Sequence, residues 1–273
     1  MIGICTDSNS QLPPELAERY RVEVVPITVT IDDHEYLEGV DLDTDRFYEL
    51  LSAEPPPRVR TSQPSSGQFA AAYESLLHTG CDEILSVHVT SAISGTLNAA
   101  RLATRALPVP VRIVDSGTAG FGVSCCVWAA AEAIAGGASL DDAVQIAESL
   151  APRIGASFVV GELDFIRSGG ADDERGEAVQ VMSMHMGKLQ VVANAGTISQ
   201  AVDAMTATAL GWGPRLNVAV GWADRSGERM TAALADALER SDNVVELIRY
   251  RIGPSVGVYA GLGTVGCFMF PAA

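Results

Sequence analysis

Along this 273-residue chain, short apolar-rich runs of strand length alternate with stretches whose apolar residues recur at helical spacing. Ile2-Gly3-Ile4-Cys5, Glu83 to Val89 and Val109 to Val114 are of the first kind. Pro13-Pro14 opens a helix through Tyr20, since proline suits a first helical turn. Phe69, Tyr73, Leu76 and Leu77 share one face of a helix from about Ser66 to His78, which Gly80 stops. Leu97 to Ala106 has no internal Gly or Pro and continues in helical spacing. A helix of small residues runs from near Phe121 to Ala135, and Ser139-Leu140-Asp141-Asp142 has the form of a capping box for a helix reaching Leu150. Val22 to Ile31 is a β-rich run with Pro26 inside it, which predicts an edge strand or a bulge, with Asp32-Asp33-His34 as its turn. A short helix over Asp43 to Leu51, the stiff Glu54-Pro55-Pro56-Pro57 connector and an extended piece at Val59 to Ser62 complete the first half.

The second half opens with a strand from Ile154 to Val160, then Leu163 to Gly170 and a polar run, Asp172-Asp173-Glu174-Arg175, that reads as a solvated loop. Val179 to His185 and Lys188 to Val192 flank Met186-Gly187 as a hairpin. Helices at Ser199 to Leu210 and Glu228 to Glu239 alternate with strands at Leu216 to Val220 and Val244 to Tyr250. The glycine-rich end, Gly253 to Phe268, does not place Gly257, Gly261 and Gly263 in the strand-to-helix context that a nucleotide loop needs. This alternation predicts an α/β fold.

Charge and composition remove several functions. Lys+Arg 18 against Asp+Glu 34 leaves a net charge of −16, which disfavours nucleic acid and anionic membrane surfaces. No apolar run reaches the roughly 18 to 20 residues of a membrane span, the best stretch being broken by Ser124 and Glu132. The first residues lack the basic start of a signal peptide, so a cytoplasmic protein is expected. Five scattered cysteines, Cys5, Cys81, Cys125, Cys126 and Cys267, are expected as buried free thiols, and four histidines without a ligand cluster predict no metal.

The candidate chemistry lies in Thr90-Ser91-Ala92-Ile93-Ser94-Gly95-Thr96-Leu97-Asn98, where four hydroxyls and a glycine separate a strand from a helix. The first turn of a helix leaves backbone N–H groups without partners, at the positive end of its dipole. Ser94 and Thr96 add hydroxyl donors there, and Gly95 permits close approach to the backbone. The plainer expectation is that Ser94 or Thr96 is the helix N-cap. Thr6-Asp7-Ser8, Thr61-Ser62 and Asp115-Ser116 also follow β-runs, and in a parallel sheet all four loops fall at the carboxyl edge, where ligands bind.

Taken in order, Thr6-Asp7-Ser8, Val25-Pro26, Thr61-Ser62-Gln63-Pro64-Ser65, Ser94-Gly95-Thr96, Asp115-Ser116, Gly169-Gly170 and the glycine-rich end resemble the DegV family of bacterial fatty-acid-binding proteins over nearly the whole chain. The resemblance implies an N-terminal α/β domain with a mostly parallel sheet flanked by helices, a second α/β domain, and a ligand tunnel between them. The division is expected at 1–160 and 161–273, with part of the N-terminal segment packing with the second domain. It implies a non-catalytic carrier for a long-chain fatty acid such as palmitate, without a cofactor, whose carboxylate is held by Thr61 and Ser94; Ser62, Gly95, Thr96, Ser8 and Tyr259 complete the candidate set. It also implies a fatty acid kinase as partner. Against the family's pattern, Ala171 replaces an arginine, Tyr259 and Leu262 replace a histidine and a proline, and Ala193 to Thr197 carries no basic residue. Tyr259 can hydrogen-bond a head group but carries no positive charge. Two other expectations compete: a hydrolase or transferase with Ser94 as nucleophile and His88 as its base, although no Gly-x-Ser-x-Gly elbow is present, and a lipid-responsive interaction protein.

Overall fold

The computed structural model describes residues 1–161 and 178–272. The predicted polar loop at Asp172 to Arg175, together with Gly169, Gly170 and Ala171, lies outside the described residues. The chain forms two compact units: residues 1–43, 54–151 and 253–255 make the first, and residues 44–53, 152–252 and 256–273 the second.

In the first unit, β1 (Ile2–Asp7), β2 (Val22–Val25), β6 (Glu83–His88) and β7 (Val111–Asp115) form a parallel sheet in the order β2-β1-β6-β7. Consecutive residues of β1 and β6 are buried, which requires cover on both sheet faces. Helices α3 (Ser66–His78) and α4 (Thr96–Ala103) supply part of it: Phe69, Tyr73, Leu76, Ala99, Ala100 and Ala103 share one core with Cys5, Val25 and Ile84. Helices α5 (Phe121–Ala135) and α6 (Leu140–Leu150) pack together and against β6, with α1 (Pro14–Tyr20) beside α5. The predicted capping box at Ser139 with Asp142 is present, and a second, not predicted, starts α3 at Ser65 with Gln68, each stabilising its helix by about 1 kcal/mol.

The sheet membership of two predicted β-runs differs from the expectation. Val22 to Ile31 is two strands, β2 and β3 (Thr28–Ile31), in different sheets, with Pro26 in the change of direction between them. A second, antiparallel sheet has the order β4-β3-β5, from β3, β4 (His34–Leu37) and β5 (Val59–Ser62). The Thr61-Ser62 loop therefore does not leave the carboxyl edge of the parallel sheet; the other three polar loops do.

The second unit has a six-stranded sheet of order β10-β9-β8-β13-β11-β12, made of β8 (Gly155–Val159), β9 (Val179–His185), β10 (Lys188–Ala195), β11 (Leu216–Trp222), β12 (Val244–Arg251) and β13 (Val265–Pro271). Only β11 and β12 run parallel among its neighbours. Met186 and Gly187, at φ 51 and 70, make the predicted β9–β10 turn, the mirror-image geometry that matches strand twist. Helices Ile198–Leu210 and Glu228–Glu239 pack on this sheet through Ala201, Met205, Met230, Leu234 and Leu238. The glycine-rich end is a helix, Pro254–Ala260, followed by β13 at the centre of the sheet. All five cysteines are free and buried.

Candidate functional site

At the carboxyl edge of the parallel sheet a chain of buried polar groups fixes the loops. Tyr73 Oη lies 2.9 Å from Ser86 Oγ, which lies 2.6 Å from His88 Nε2, and His88 Nδ1 lies 2.9 Å from Asp7 Oδ2. These four side chains are fully buried. Burial pushes the Tyr73 phenol up, so it donates; the row is satisfied when each group donates to the next and Asp7 accepts. Asp7 also accepts the Val89 N–H with Oδ2 and the Asn9 N–H with Oδ1, and Asn9 Oδ1 takes the Gly120 N–H at 3.0 Å. One carboxylate thereby sets the start of the loops after β1 and β6.

The loop after β6 is further held by Asp115 at the end of β7. Asp115 Oδ2 accepts the Ser91 hydroxyl at 2.6 Å and the Ser91 N–H at 3.1 Å, and its Oδ1 accepts the Gly117 N–H. Burial opposes the charge on Asp115, but these bonds outweigh it and hold the carboxyl below its ordinary range. Thr90 N–H donates to Thr118 O, which ties the same loop a second time. The turn that follows carries Ser94, Gly95 and Thr96. Ser94 Oγ is 2.8 Å from Thr96 Oγ1 and accepts the Thr96 N–H at 3.3 Å. The N-cap of α4 is Gly95, without a side-chain cap bond, so neither Ser94 nor Thr96 has the capping position. Thr96 is the first residue of the helix and buried, and Ser94 is half-buried.

Gly95 has an ordinary φ of −83, so its glycine is not required by backbone strain. What stands where a side chain would go is the end of the exposed Gln63 side chain. A Cβ built there would collide with the carboxamide of Gln63, whose Cδ would stand 2.8 Å away and Nε2 3.0 Å. Gln63 follows the last residue of β5 and precedes Pro64, which favours an extended backbone there. Within β5 Thr61 is half-buried and Ser62 exposed, on opposite faces of the strand. Gln63, the residue after β5, lies on Gly95 in the turn that carries Ser94. Through this one contact the structure brings the segment after β5 beside the turn of Ser94, Gly95 and Thr96.

The Ser8 hydroxyl is engaged elsewhere: it donates to Glu38 and accepts the Ile27 N–H at 2.9 Å. Glu38 is buried at 7% exposure, and its Oε1 also accepts the Ser255 N–H at 2.9 Å and Gln11 Nε2 at 3.4 Å. Desolvation raises its carboxyl above the ordinary value, although the bonds from Ser8, Ser255 and Gln11 work the other way. Tyr259 belongs to the second unit, on the helix Pro254–Ala260, and is 80% exposed. Sequence reasoning did not single out Gln63, Glu38 or the Tyr73–Ser86–His88–Asp7 row. Gln63 and Asp7 carried a signal as members of the Thr-Ser-Gln-Pro-Ser and Thr-Asp-Ser motifs, and His88 was expected only as a base for Ser94.

His88 does not serve Ser94 as a base, because both of its ring nitrogens are taken, by Asp7 and Ser86. The Asp7–His88–Ser86 row itself resembles a nucleophilic triad in its bonding, but Ser86 is fully buried and bonded to Tyr73, leaving no room for a substrate carbonyl. Among the described residues no group of three or more His, Cys, Asp and Glu could hold a metal ion, and no helix is long and apolar enough to cross a membrane. In the second unit a cavity of about 290 Å³ is lined by Asp45, Glu49 and Asp224 together with Arg225 and Ser226. Its three carboxylates make it a poor seat for an anion.

A family model described as "Uncharacterised protein, DegV family" matches residues 1–272. The chain belongs to the DegV family. The DegV domain-containing protein SCO2569 of Streptomyces coelicolor is 32% identical, the match covering 97% of this chain and 96% of that protein. A DegV domain-containing protein of Mycobacterium bovis, Mb2440c, is 30% identical, with 97% and 95% covered. Among solved structures, a DegV family protein from Thermus thermophilus, described by its fatty acid binding, is 26% identical with a TM-score of 0.83 and 99% of both chains covered. DegV of Bacillus subtilis, described as a fatty acid binding protein, shares the fold at a TM-score of 0.79 and 24% identity, again over 99% of both chains. The DegV architecture of a parallel sheet flanked by helices with a second sheet domain is thus present here, and it places the Thr-Ser-Gln-Pro-Ser and Ser-Gly-Thr motifs of the first unit side by side.

Proposed function

We propose that this DegV protein is a non-catalytic binding protein for a long-chain fatty acid, with the carboxylate held by Thr61 and Ser94 and the acyl tail in an apolar tunnel. The observation that supports the reading is the contact of Gln63 with Gly95, which sets the Thr-Ser-Gln-Pro-Ser segment beside the Ser94 turn. The fatty acid binding described for the Thermus thermophilus relative supports the ligand class. Hydroxyls and helix-start amides hold a carboxylate by charge-assisted hydrogen bonds without a buried countercharge. A tail of about fourteen methylenes contributes on the order of 10 kcal/mol before ordering costs, so the tail supplies the affinity and the head group the orientation. Lipid extraction of the purified protein followed by mass spectrometry tests this: a co-purified long-chain acid, or uptake of added palmitate, is the expected result, and neither being found would overturn it. Presentation to a fatty acid kinase is a role that the family resemblance implies. With alanine at 171 and tyrosine at 259, positive charge is missing where that pattern has it, and the function proposed is binding itself.

A further inference from the structure

Away from the Ser94 turn, a buried carboxyl holds the chain where it crosses between the two units. Residues 253–255 belong to the first unit, while the chain on either side of them belongs to the second. Two side chains of the first unit hold this short piece. The Gly253 N–H donates to Gln11 Oε1, and the Ser255 N–H donates to Glu38 Oε1 at 2.9 Å. Gln11 is itself oriented by its Nε2, which donates to Ser8 O at 2.9 Å and to Ser255 Oγ at 3.2 Å. The fit is tight: a Cβ at Gly253 would stand 2.8 Å from Glu38 Oε1 and 2.9 Å from Gln11 Oε1. Gln11, Glu38 and Ser255 are all buried.

The donors bonded to Glu38, from Ser8, Gln11 and Ser255, are all neutral. The other titratable groups on the elements around it offer no counter-ion. Asp7 is bonded to His88, Asp41 accepts the Leu37 N–H, His34 and Glu35 are at the exposed start of β4, and Tyr259 is exposed. A neutral Glu38 keeps the bond to the crossing, since Oε1 still accepts from Ser255 while Oε2 can donate to Ser8. An ionised Glu38 keeps it at the cost of burying a charge without a cation. We propose that Glu38 is a proton-controlled clasp on residues 253–255, closed when its carboxyl is neutral and opening locally when the carboxyl ionises. Desolvation raises this carboxyl, so the closed segment retains a proton that the opened one releases. The closed form is therefore fully favoured below the ordinary value near 4.5, and opening becomes easier as pH rises through the folded value.

Amide hydrogen exchange followed by NMR on the full chain at pH 5 and pH 7 tests this, each rate being divided by the intrinsic rate at that pH so that the opening equilibrium is read. In the wild type, protection at Gly253 and Ser255 is expected to be lower than at Val218 in the buried strand β11, the mark of local opening. It is expected to fall further, by about fivefold or more, from pH 5 to pH 7. In Glu38→Gln, which keeps the acceptor and cannot ionise, protection at both amides is expected to change by less than about twofold between the same two conditions. The wild-type profile carries the test alone should the variant fail to fold. Wild-type protection that does not change with pH, the same fall in Glu38→Gln, or protection equal to that of Val218 overturns the clasp. Protection that rises with pH also overturns it, and would make Glu38 an anchor of this segment in its ionised form.

Discussion

His88 Nδ1 donates to Asp7 Oδ2 across 2.9 Å, joining the ends of β1 and β6 in a place where both side chains are fully buried. The same Asp7 oxygen takes the Val89 N–H, so the first residue beyond β6 is fixed by a group on the neighbouring strand. The loop that leads to Ser94 therefore starts from a position determined by Asp7, and a second carboxylate, Asp115, holds it at Ser91.

His88→Ala is expected to cost about 3 kcal/mol of stability, since it opens a cavity against Phe69, whose ring centroid is 5.0 Å from the imidazole, and leaves Asp7 with fewer donors. Urea unfolding followed by circular dichroism measures this. A loss below about 0.5 kcal/mol would show that the row of polar groups does not support the sheet edge.

The local parts of this fold were legible in the chain, and the reason is visible in particular elements. Ser66–His78 starts at a capping box and stops before Gly80, and Phe121–Ala135 lies between Gly120 and Gly136, so their ends are written in adjacent residues. What a β-run pairs with is not written beside it. Val59–Ser62 looks like the strands of the parallel sheet, yet it pairs antiparallel with Thr28–Ile31, and no residue within the run decides this. The glycine-rich end hid a helix and a central strand because the glycines there serve packing: a Cβ at Gly257 would meet Phe47 and Tyr48. In the site, Ser94 and Thr61 could be named from hydroxyl chemistry and the family motifs. Glu38 could not, because its significance comes from burial beside Ser8, Gln11 and Ser255, distant in sequence.

Ser94→Ala removes one hydroxyl whose internal bonds are confined to Thr96, so the melting temperature is expected to stay near wild type. Palmitate affinity is expected to fall by about tenfold or more, the worth of one hydrogen bond to a charged group. Thr61→Val, of matching shape, is expected to behave in the same way, and Ser62→Ala, on the other side of β5, to bind as wild type. Isothermal titration with palmitate checks all three. Equal losses at Thr61 and Ser62 would contradict the facing inferred for this strand.

None of the five thiols is expected to react with Ellman's reagent in the native protein, and all five in guanidinium chloride. Each is buried, and burial pushes the Cys126 and Cys267 thiols up to about 12, so little thiolate forms at pH 8. A thiol that reacts within seconds in buffer would show that one of these sites opens readily.

Two carboxyls are expected to give stability changes of opposite sign with pH. Asp115 is held below its ordinary value near 3.8, so its contribution is present above that value and is lost as pH falls through the lower folded value. Asp115→Asn should therefore be less stable than wild type at pH 8, with the gap closing only in acid. Glu38 is raised above its ordinary value near 4.5 by desolvation, so its contribution is full below 4.5 and is lost as pH rises through the folded value. Glu38→Gln, in which Oε1 still accepts from Ser255 and the amide donates to Ser8, should consequently exceed wild type in stability at pH 8 and match it near pH 4. Denaturant unfolding of both variants at pH 8 and pH 4 separates the two effects. If Glu38→Gln instead proves less stable at pH 8, the hydrogen bonds from Ser8, Gln11 and Ser255 outweigh the burial of the charge, and Glu38 stabilises the Ser8 loop as a carboxylate.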